Sequence, residues 1–277
     1  MILFVFIALL AVQDQPKPLP DIKPFLAEVR RTLHTDDNLL SQYTYTEKRT
    51  LIQLDSNQNP RSTEVDVFEV FPGSAERRYR RQIVRSGKPL SAADLEKGDQ
   101  KLQKRISSAQ RKSNDQAAAQ REKKEARILD DVFAGYDVEV IGRENLSGHP
   151  AVLVKFTPRP AYTPNTKEGI VMRHVAGRAW ISEEDHQVAR VEMEVVDPIS
   201  IGLGLLAKLQ KGASITAERQ KFNDEIWLPV KMEITLNARV LLLKGFNIRQ
   251  LVEYSDHKKY SVDTILKFSG QEAPAQP

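Results

Sequence analysis

The chain has 277 residues, no cysteine, 28% charged residues and a formal net charge of +4. That length can bury a sizeable core without covalent staples, and the absence of cysteine excludes a disulfide framework, a thiolate zinc site and a thiol nucleophile. Basic and acidic residues are interleaved along most of the chain. The modest positive charge therefore predicts a solvated surface of mixed charge and no nucleic-acid partner.

The basic residues around Tyr79 are the local exception to this mixing. Such a cluster could contact an anionic surface or a phosphate group. The alternative is that the cations protect an exposed strand edge from pairing with other chains. The candidate anionic contacts are Arg77, Arg78, Arg80 and Arg81.

The first twelve residues, MILFVFIALLAV, form an uninterrupted apolar run. A membrane-spanning helix needs about 20 residues, so the run fits the hydrophobic region of a secretory signal better, although no positive charge precedes it. We expect a signal-like segment at 1–12, a Pro-rich spacer at 13–20, and a periplasmic or secreted protein. An uncleaved anchor is the alternative.

A helix is predicted directly after the spacer, with Asp21 as its N-cap and Pro24 in its first turn. Its apolar residues recur at helical spacing, which predicts one buried face. Segments 43–54, 65–71 and 78–86 then have the composition of strands and are separated by turn residues. The simplest arrangement of these three is an antiparallel meander.

Residues 91–127 are almost entirely charged, small or amide-bearing, with only Leu95, Leu102 and Ile106 at helical spacing. Their propensity predicts a helical excursion that stands largely in solvent. A coiled-coil or nucleic-acid role is the alternative, but the balanced charge and the missing heptad repeat disfavour it.

Strands are predicted again at 136–141 and 151–156, and a hairpin at 177–182 and 188–196. The strongest pattern lies at 226–242, where every even position is apolar. Long amphipathic strands in matching phase predict one strongly curved antiparallel sheet with an apolar concave face. The fold class is therefore α+β and mostly β, in a single domain at 21–268 followed by a flexible tail at 269–277.

The segment PISIGLGLLAKLQKG at 198–212 interrupts these strands. Its two glycines do not make a phosphate loop, since the third glycine and a parallel sheet are both missing. Its spacing predicts a short amphipathic helix, which either plugs an open end of the sheet or forms a lid or membrane-touching lip. The residues of that helix face are Ile199, Leu203, Leu206 and Leu209.

No catalytic constellation is evident in the sequence. The five histidines are scattered without metal-ligand spacing, and no serine nucleophile motif occurs. We therefore predict a binding protein without catalytic residues, metal or cofactor.

Three segments resemble the LolA-like family of periplasmic lipoprotein carriers, with its LppX and RseB-type relatives: QYTYTEK, SGHPAVLVKFTP and GRAWISEEDHQVARVEM. The resemblance implies an incomplete, half-open barrel wrapped around one or more helices, with an apolar cavity that accepts acyl chains. The excursion at 91–127 has no counterpart in that pattern.

The leading hypothesis is thus a non-enzymatic carrier of a lipid or lipidated protein, with peripheral membrane contact. The cavity would lie between the first helix and the even-numbered face of the long strand, although a filled core is the alternative for the same residues. A different hypothesis is an envelope interaction or sensor module that binds a protein through the charged excursion. The cavity candidates are Phe25, Val29, Met232, Ile234, Leu236 and Val240.

Overall fold

The computed structural model describes residues 17–33, 42–72, 78–112, 115–201, 207–240 and 245–259. The signal-like segment at 1–12 and the tail at 269–277 lie outside these residues. The described helices are α1 (Ile22–Leu33), α2 (Ala92–Lys112), α3 (Asp115–Gly135) and α4 (Lys167–Met172). The described strands are β1 (Tyr43–Leu54), β2 (Pro60–Pro72), β3 (Arg78–Arg85), β4 (Lys88–Pro89), β5 (Tyr136–Leu146), β6 (His149–Pro158), β7 (Val175–Ser182), β8 (Val188–Val195), β9 (Ile199–Ile201), β10 (Ala207–Leu209), β11 (Ser214–Phe222), β12 (Ile226–Val240) and β13 (Gly245–Lys259).

All thirteen described strands belong to one open antiparallel sheet. The strand order is β4-β3-β2-β1-β13-β12-β11-β8-β7-β6-β5, and β9 and β10 form a hairpin that pairs with β12. The predicted fold class is confirmed, as are the meander of β1 to β3 and the hairpin of β7 and β8. The long alternating segment forms β12, which is one unbroken strand of 15 residues.

Helix α1 begins after Asp21, whose carboxylate accepts the backbone N–H of Lys23 at 3.2 Å, as the predicted N-cap should. Its buried residues Phe25 and Val29 pack against Val152 of β6 and Ile181 of β7. The face of the sheet that α1 covers is called the inner face below. The opposite face is called the outer face.

The charged excursion is helical, as predicted, and continues through α3 to Gly135. Helix α2 lies against β3. Its half-buried residues Leu95, Asp99, Leu102 and Ile106 recur at helical spacing, so one narrow stripe contacts the sheet while the charged remainder is exposed. Within the described ranges, neither these helices nor the two shorter ones are long and apolar enough to cross a bilayer.

The helix predicted within 198–212 is wrong, because this segment supplies the β9–β10 hairpin instead. The reason lies in β12, which extends beyond the last residue pair that it makes with β11, Thr235 with Ser214. Its backbone from Ala238 onward would be an open edge, and β10 pairs there from Leu209 to Ala207. Backbone hydrogen bonds to that edge outweigh the local helical spacing.

Candidate functional site

Partly exposed apolar side chains lie on the inner face where β11, β12 and β13 adjoin. The register places Ile215 of β11 opposite Ile234 of β12, and Leu236 of β12 opposite Ile248 of β13. Phe246 of β13, opposite Ala238, is 41% exposed. Helix α1 covers the inner face over β6 and β7, whereas these side chains of β11 to β13 keep part of their surface exposed. We call them the apolar band: Ile215, Met232, Ile234, Leu236, Phe246 and Ile248.

The structure separates the predicted cavity residues into two groups. Phe25 and Val29 are buried in a packed cluster with residues of β6 and β7, and none of its described members comes from β12. Met232 and Ile234 lie in the apolar band, partly exposed. The prediction that α1 faces the long strand across a cavity is therefore not seen in that core cluster. Helix α1 packs on the inner face over β6 and β7 instead.

The remaining cavity candidates lie toward the end of β12. Leu236 packs against the buried cluster of Val195, Ile199 and Ala213. Val240 is the last described residue of β12, and its side chain lies outside the described part of the structure.

The lid candidates belong to the β9–β10 hairpin in part. Ile199 is only 6% exposed, and Leu209 packs against it. Because Leu236 contacts the same cluster, the hairpin closes one end of the apolar band. Leu203 and Leu206 lie outside the described residues.

A cluster of arginines occupies the inner face on the other side of β13. It centres on Glu47 of β1, which is 1% exposed. Arg80 of β3 donates to Glu47 from Nη2 to Oε2 at 3.2 Å, and Arg49 donates to the other carboxylate oxygen. Arg78 donates from Nη1 to the hydroxyl of Tyr45 at 3.0 Å. Arg49, Arg78 and Arg80 are called the arginine cluster.

Aromatic rings support two of these guanidinium groups. Arg49 lies over the ring of Phe68 with its Cζ 5.0 Å from the centroid, and Arg78 lies over Tyr45 at 5.7 Å. A guanidinium within about 6 Å of a ring centroid is attracted by the ring quadrupole. The rings therefore hold the cations against the sheet without neutralising them.

The pKa values of two side chains at this site, Arg80 and Tyr254, are raised. Burial by itself would lower the pKa of Arg80, but the hydrogen bonds and charge of Glu47 raise it above its ordinary value. Burial, followed by the negative charge of Glu47, raises the pKa of the neighbouring Tyr254 to about 12. At neutral pH Arg80 is therefore charged and Tyr254 is neutral.

The sequence grouped these arginines with others that the structure places elsewhere. Arg81 faces the outer side, where it donates to Glu69 at 3.0 Å and to Asp99 of α2 at 2.6 Å, so it anchors the helical excursion. Arg77 lies outside the described residues. Arg78 and Arg80 are the described members of the predicted set that reach the inner face.

Sequence reasoning missed Glu47, Arg49 and their aromatic support. The signal was present in QYTYTEKRT, since alternation puts Tyr43, Tyr45, Glu47 and Arg49 on one face. A charged pair that shares one strand face with two tyrosines predicts a polar site on that face of the sheet. The part of the chain that is described contains no group of three His, Asp or Glu side chains placed to hold a metal ion.

Comparison with known proteins finds similarity in fold to several solved structures. No protein-family model and no curated protein sequence matches the chain. An outer membrane lipoprotein-sorting protein domain from Vibrio parahaemolyticus aligns at 10% identity over 89% of this chain and 98% of that one, with a TM-score of 0.36. A LolA superfamily protein from Nitrosomonas europaea aligns at 10% identity over 86% and 96%, with a TM-score of 0.30.

The MucA/MucB complex from Pseudomonas aeruginosa is a third similar structure, at 9% identity over 85% of this chain and 100% of that one, with a TM-score of 0.26. All three TM-scores lie below 0.5. The similarity therefore assigns no ligand and no partner to this chain.

Proposed function

We propose that this protein is a non-enzymatic carrier that holds the acyl chain of a lipid or lipidated protein on its inner face. The observation that supports the proposal most strongly is the apolar band. One face of the sheet is buried by α1 at β6 and β7, whereas at β11 to β13 the same face keeps a row of partly exposed aliphatic side chains. Exposed apolar side chains clustered on one face mark ligand or interaction sites.

Binding on this band requires only that an acyl chain transfer from water to an apolar surface. An acyl chain that leaves water gains about 0.8 kcal/mol for each CH₂ group that is buried. Residues from three neighbouring strands would contact the chain, and the β9–β10 hairpin would limit its depth at the end where Ile199 packs with Leu236. Release requires an acceptor surface that is equally apolar, such as a membrane or a second carrier.

The signal-like segment at 1–12 and the LolA-like sequence segments support a location in the cell envelope. There a carrier would move amphiphiles across an aqueous space that they cannot cross alone. Peripheral contact with a membrane would accompany loading or release. No cofactor is required for this activity.

The test uses N-phenyl-1-naphthylamine, a neutral dye whose fluorescence rises in apolar surroundings. We expect the full chain to bind the dye and monolauroylglycerol to displace it. Ile234→Gln places an amide in the apolar band, and we expect about ten-fold weaker dye binding, since a polar group that is taken out of water costs about 1–3 kcal/mol. Glu233→Gln introduces the same side chain at the adjacent position on the outer face and serves as the matched control.

Equal dye binding by the Ile234→Gln and Glu233→Gln variants would contradict a ligand site on the inner face. So would failure of monolauroylglycerol to displace the dye from the unmodified chain. Circular dichroism of each variant separates loss of the site from loss of the fold.

A second candidate function is the recognition of an envelope protein by α2. The observation in its favour concerns the side chains of α2 described from 92 to 108. Among these, the stripe of Leu95, Asp99, Leu102 and Ile106 is half-buried, while the charged side chains around it are exposed. A photo-crosslinking residue at Lys104 in the producing cell would give one discrete protein adduct, and the same residue at Lys48 on the outer face of β1 would give none. The same set of adducts from Lys104 and from Lys48 would exclude α2 as a surface that binds one specific protein.

A further inference from the structure

We infer that the ligand of the inner face is a lipid with an anionic phosphate headgroup, bound by the arginine cluster while its acyl chain lies on the apolar band. The inference rests on the proposed carrier function and names the ligand class. It is argued from the position and the charge of Arg49, Arg78 and Arg80.

The two surfaces are close enough for one amphiphile. Strand pairing sets Arg49 of β1 opposite Val252 of β13, and Val252 opposite Met232 of β12. Paired residues lie on the same face, and adjacent strands are about 4.8 Å apart. The arginine cluster therefore begins about 10 Å from Met232 on the same face, with buried Val252 between them.

Among the described residues, the charge of the cluster is only partly balanced by ion pairs. Arg49 and Arg80 share the carboxylate of Glu47. Asp66 of β2 lies opposite Arg49 in the register, and its carboxylate accepts the backbone N–H of Ser86. Arg78 contacts both the hydroxyl and the ring of Tyr45. Among the described residues, no carboxylate forms an ion pair with Arg78. Most other described arginines of the sheet do have a carboxylate partner, as Arg81, Arg143 and Arg178 illustrate. The inner face thus offers unneutralised positive charge beside an apolar surface.

A phosphate group fits this arrangement better than a neutral headgroup. Guanidinium groups bind phosphate oxygens through paired, charge-assisted hydrogen bonds, and these are stronger than bonds between neutral groups. Glu47 has a separate role. By pairing with Arg49 and Arg80 it fixes the positions of these two side chains on the inner face.

The position of the charge also distinguishes a lipid from other anions. An acidic protein or a nucleic acid would require a basic patch on an accessible outer surface, whereas these arginines share a face with α1 and adjoin the apolar band. The adjacent polar and apolar surfaces match an amphiphile with a negatively charged head. We therefore commit to a phospholipid or lysophospholipid with a phosphate monoester or diester.

The experiment compares two ligands that share one acyl chain. Lauroyl lysophosphatidic acid and monolauroylglycerol each displace N-phenyl-1-naphthylamine from the full chain at neutral pH. We expect the phosphate-bearing lipid to displace the dye at about ten-fold lower concentration, because charge-assisted hydrogen bonds to phosphate are stronger than bonds between neutral groups. We expect Arg78→Gln to remove this preference by raising the concentration of lauroyl lysophosphatidic acid that displaces the dye. Arg249→Gln, on the outer face of β13, is the matched control and should keep the preference.

Each outcome decides between the proposals. Equal displacement by both lipids in the unmodified chain would overturn the anionic headgroup and leave the carrier function standing. A preference that survives in Arg78→Gln would overturn the assignment of the headgroup to this cluster. Displacement by neither lipid would contradict the carrier function itself. Loss of the preference in Arg249→Gln as well would show that net charge, and not the arginine cluster, attracts the lipid.

Discussion

Glu47 and Arg80 form an ion pair across an intervening strand. Glu47 lies on β1 and Arg80 on β3, and β2 runs between them, so the arginine side chain spans the inner face of β2 to reach the carboxylate at 3.2 Å. Val70 of β2, directly opposite Arg80 in the register, is completely buried. The pair therefore ties three strands together at the place where we propose that a headgroup binds.

Glu47→Gln is the first test of this pair. The amide keeps the shape of the side chain but loses the charge that two guanidinium groups share, and hydrogen bonds to charged groups contribute about 1.5–3 kcal/mol. We expect the free energy of unfolding in urea to fall by about 2 kcal/mol. Glu253→Gln removes the half-exposed ion pair with Lys48 and is expected to change stability by less than about 0.5 kcal/mol. Equal effects of the two substitutions would show that Glu47 is not a structural partner of the arginines.

Asp131 predicts a specific loss of stability in acid. Burial alone would raise the pKa of this carboxyl group, but hydrogen bonds from Asn165, Thr166 and Tyr162 outweigh burial and lower it to about 2. A lowered folded-state pKa means that the ionised group stabilises the fold above its ordinary pKa of 3.8. This contribution is lost as the pH falls from about 4 through about 2.

We therefore expect Asp131→Asn to lower the urea midpoint at neutral pH and to differ much less from the unmodified chain near pH 2. Asp130→Asn is the control. Asp130 is the neighbouring residue, and its carboxylate is mostly exposed and pairs with Arg30. A difference between Asp131→Asn and the unmodified chain that stays constant with pH would refute the role of the ionised carboxylate.

Gly177 of β7 is predicted to reject even a methyl group. A Cβ at this position would lie 2.1 Å from the backbone oxygen of Glu192 and 2.6 Å from Cζ of Phe156. Such overpacking costs about 1–3 kcal/mol, so Gly177→Ala should lower the melting temperature measurably. Gly142→Ala in β5, where a Cβ meets no atom within 4 Å, should leave it nearly unchanged. Matching melting temperatures for the two variants would mean that β7 and β8 can move apart to accommodate the added methyl group, which would contradict the close packing at Gly177.

Phe25 is predicted to attach α1 to the inner face. It is 6% exposed, and its ring centroid lies 5.2 Å from that of His186. Truncation of a buried phenylalanine costs about 3–5 kcal/mol, and we expect Phe25→Ala to destabilise the protein by that amount in urea denaturation. Ile170→Ala, at a side chain that is 52% exposed, should change stability by less than about 0.5 kcal/mol. A small effect of Phe25→Ala would indicate that α1 is a movable lid.

The sheet could be predicted from the sequence because its strands are amphipathic and nearly continuous. Alternation over β12 and over the β7–β8 hairpin indicated which residues share a face. Side chains of a strand alternate between the two faces, so this assignment needs no tertiary information. The β9–β10 hairpin could not be predicted in this way. Its helical spacing was overridden by the open edge of β12, which only the completed sheet creates.

The candidate site was predicted only in part for a related reason. Met232 and Ile234 were identified because they alternate, but their separation from Phe25 depends on which strands α1 covers. Likewise, Arg78 and Arg80 share a face while Arg81 does not, and the sequence run around Tyr79 does not show which of them has a carboxylate partner. The ion pair of Arg80 with Glu47 depends on a strand order that becomes evident only from the paired registers.

Lipid mass spectrometry tests the central claim most directly. The full chain and its Ile234→Gln variant would be purified in parallel from the envelope of producing cells, extracted, and compared for bound lipid per mole of protein. We predict that lipids with a phosphate-bearing headgroup accompany the unmodified chain in near-stoichiometric amount and are depleted in the variant. Lipid no more abundant on the unmodified chain than on Ile234→Gln, or none on either, would contradict a carrier that binds acyl chains on its inner face.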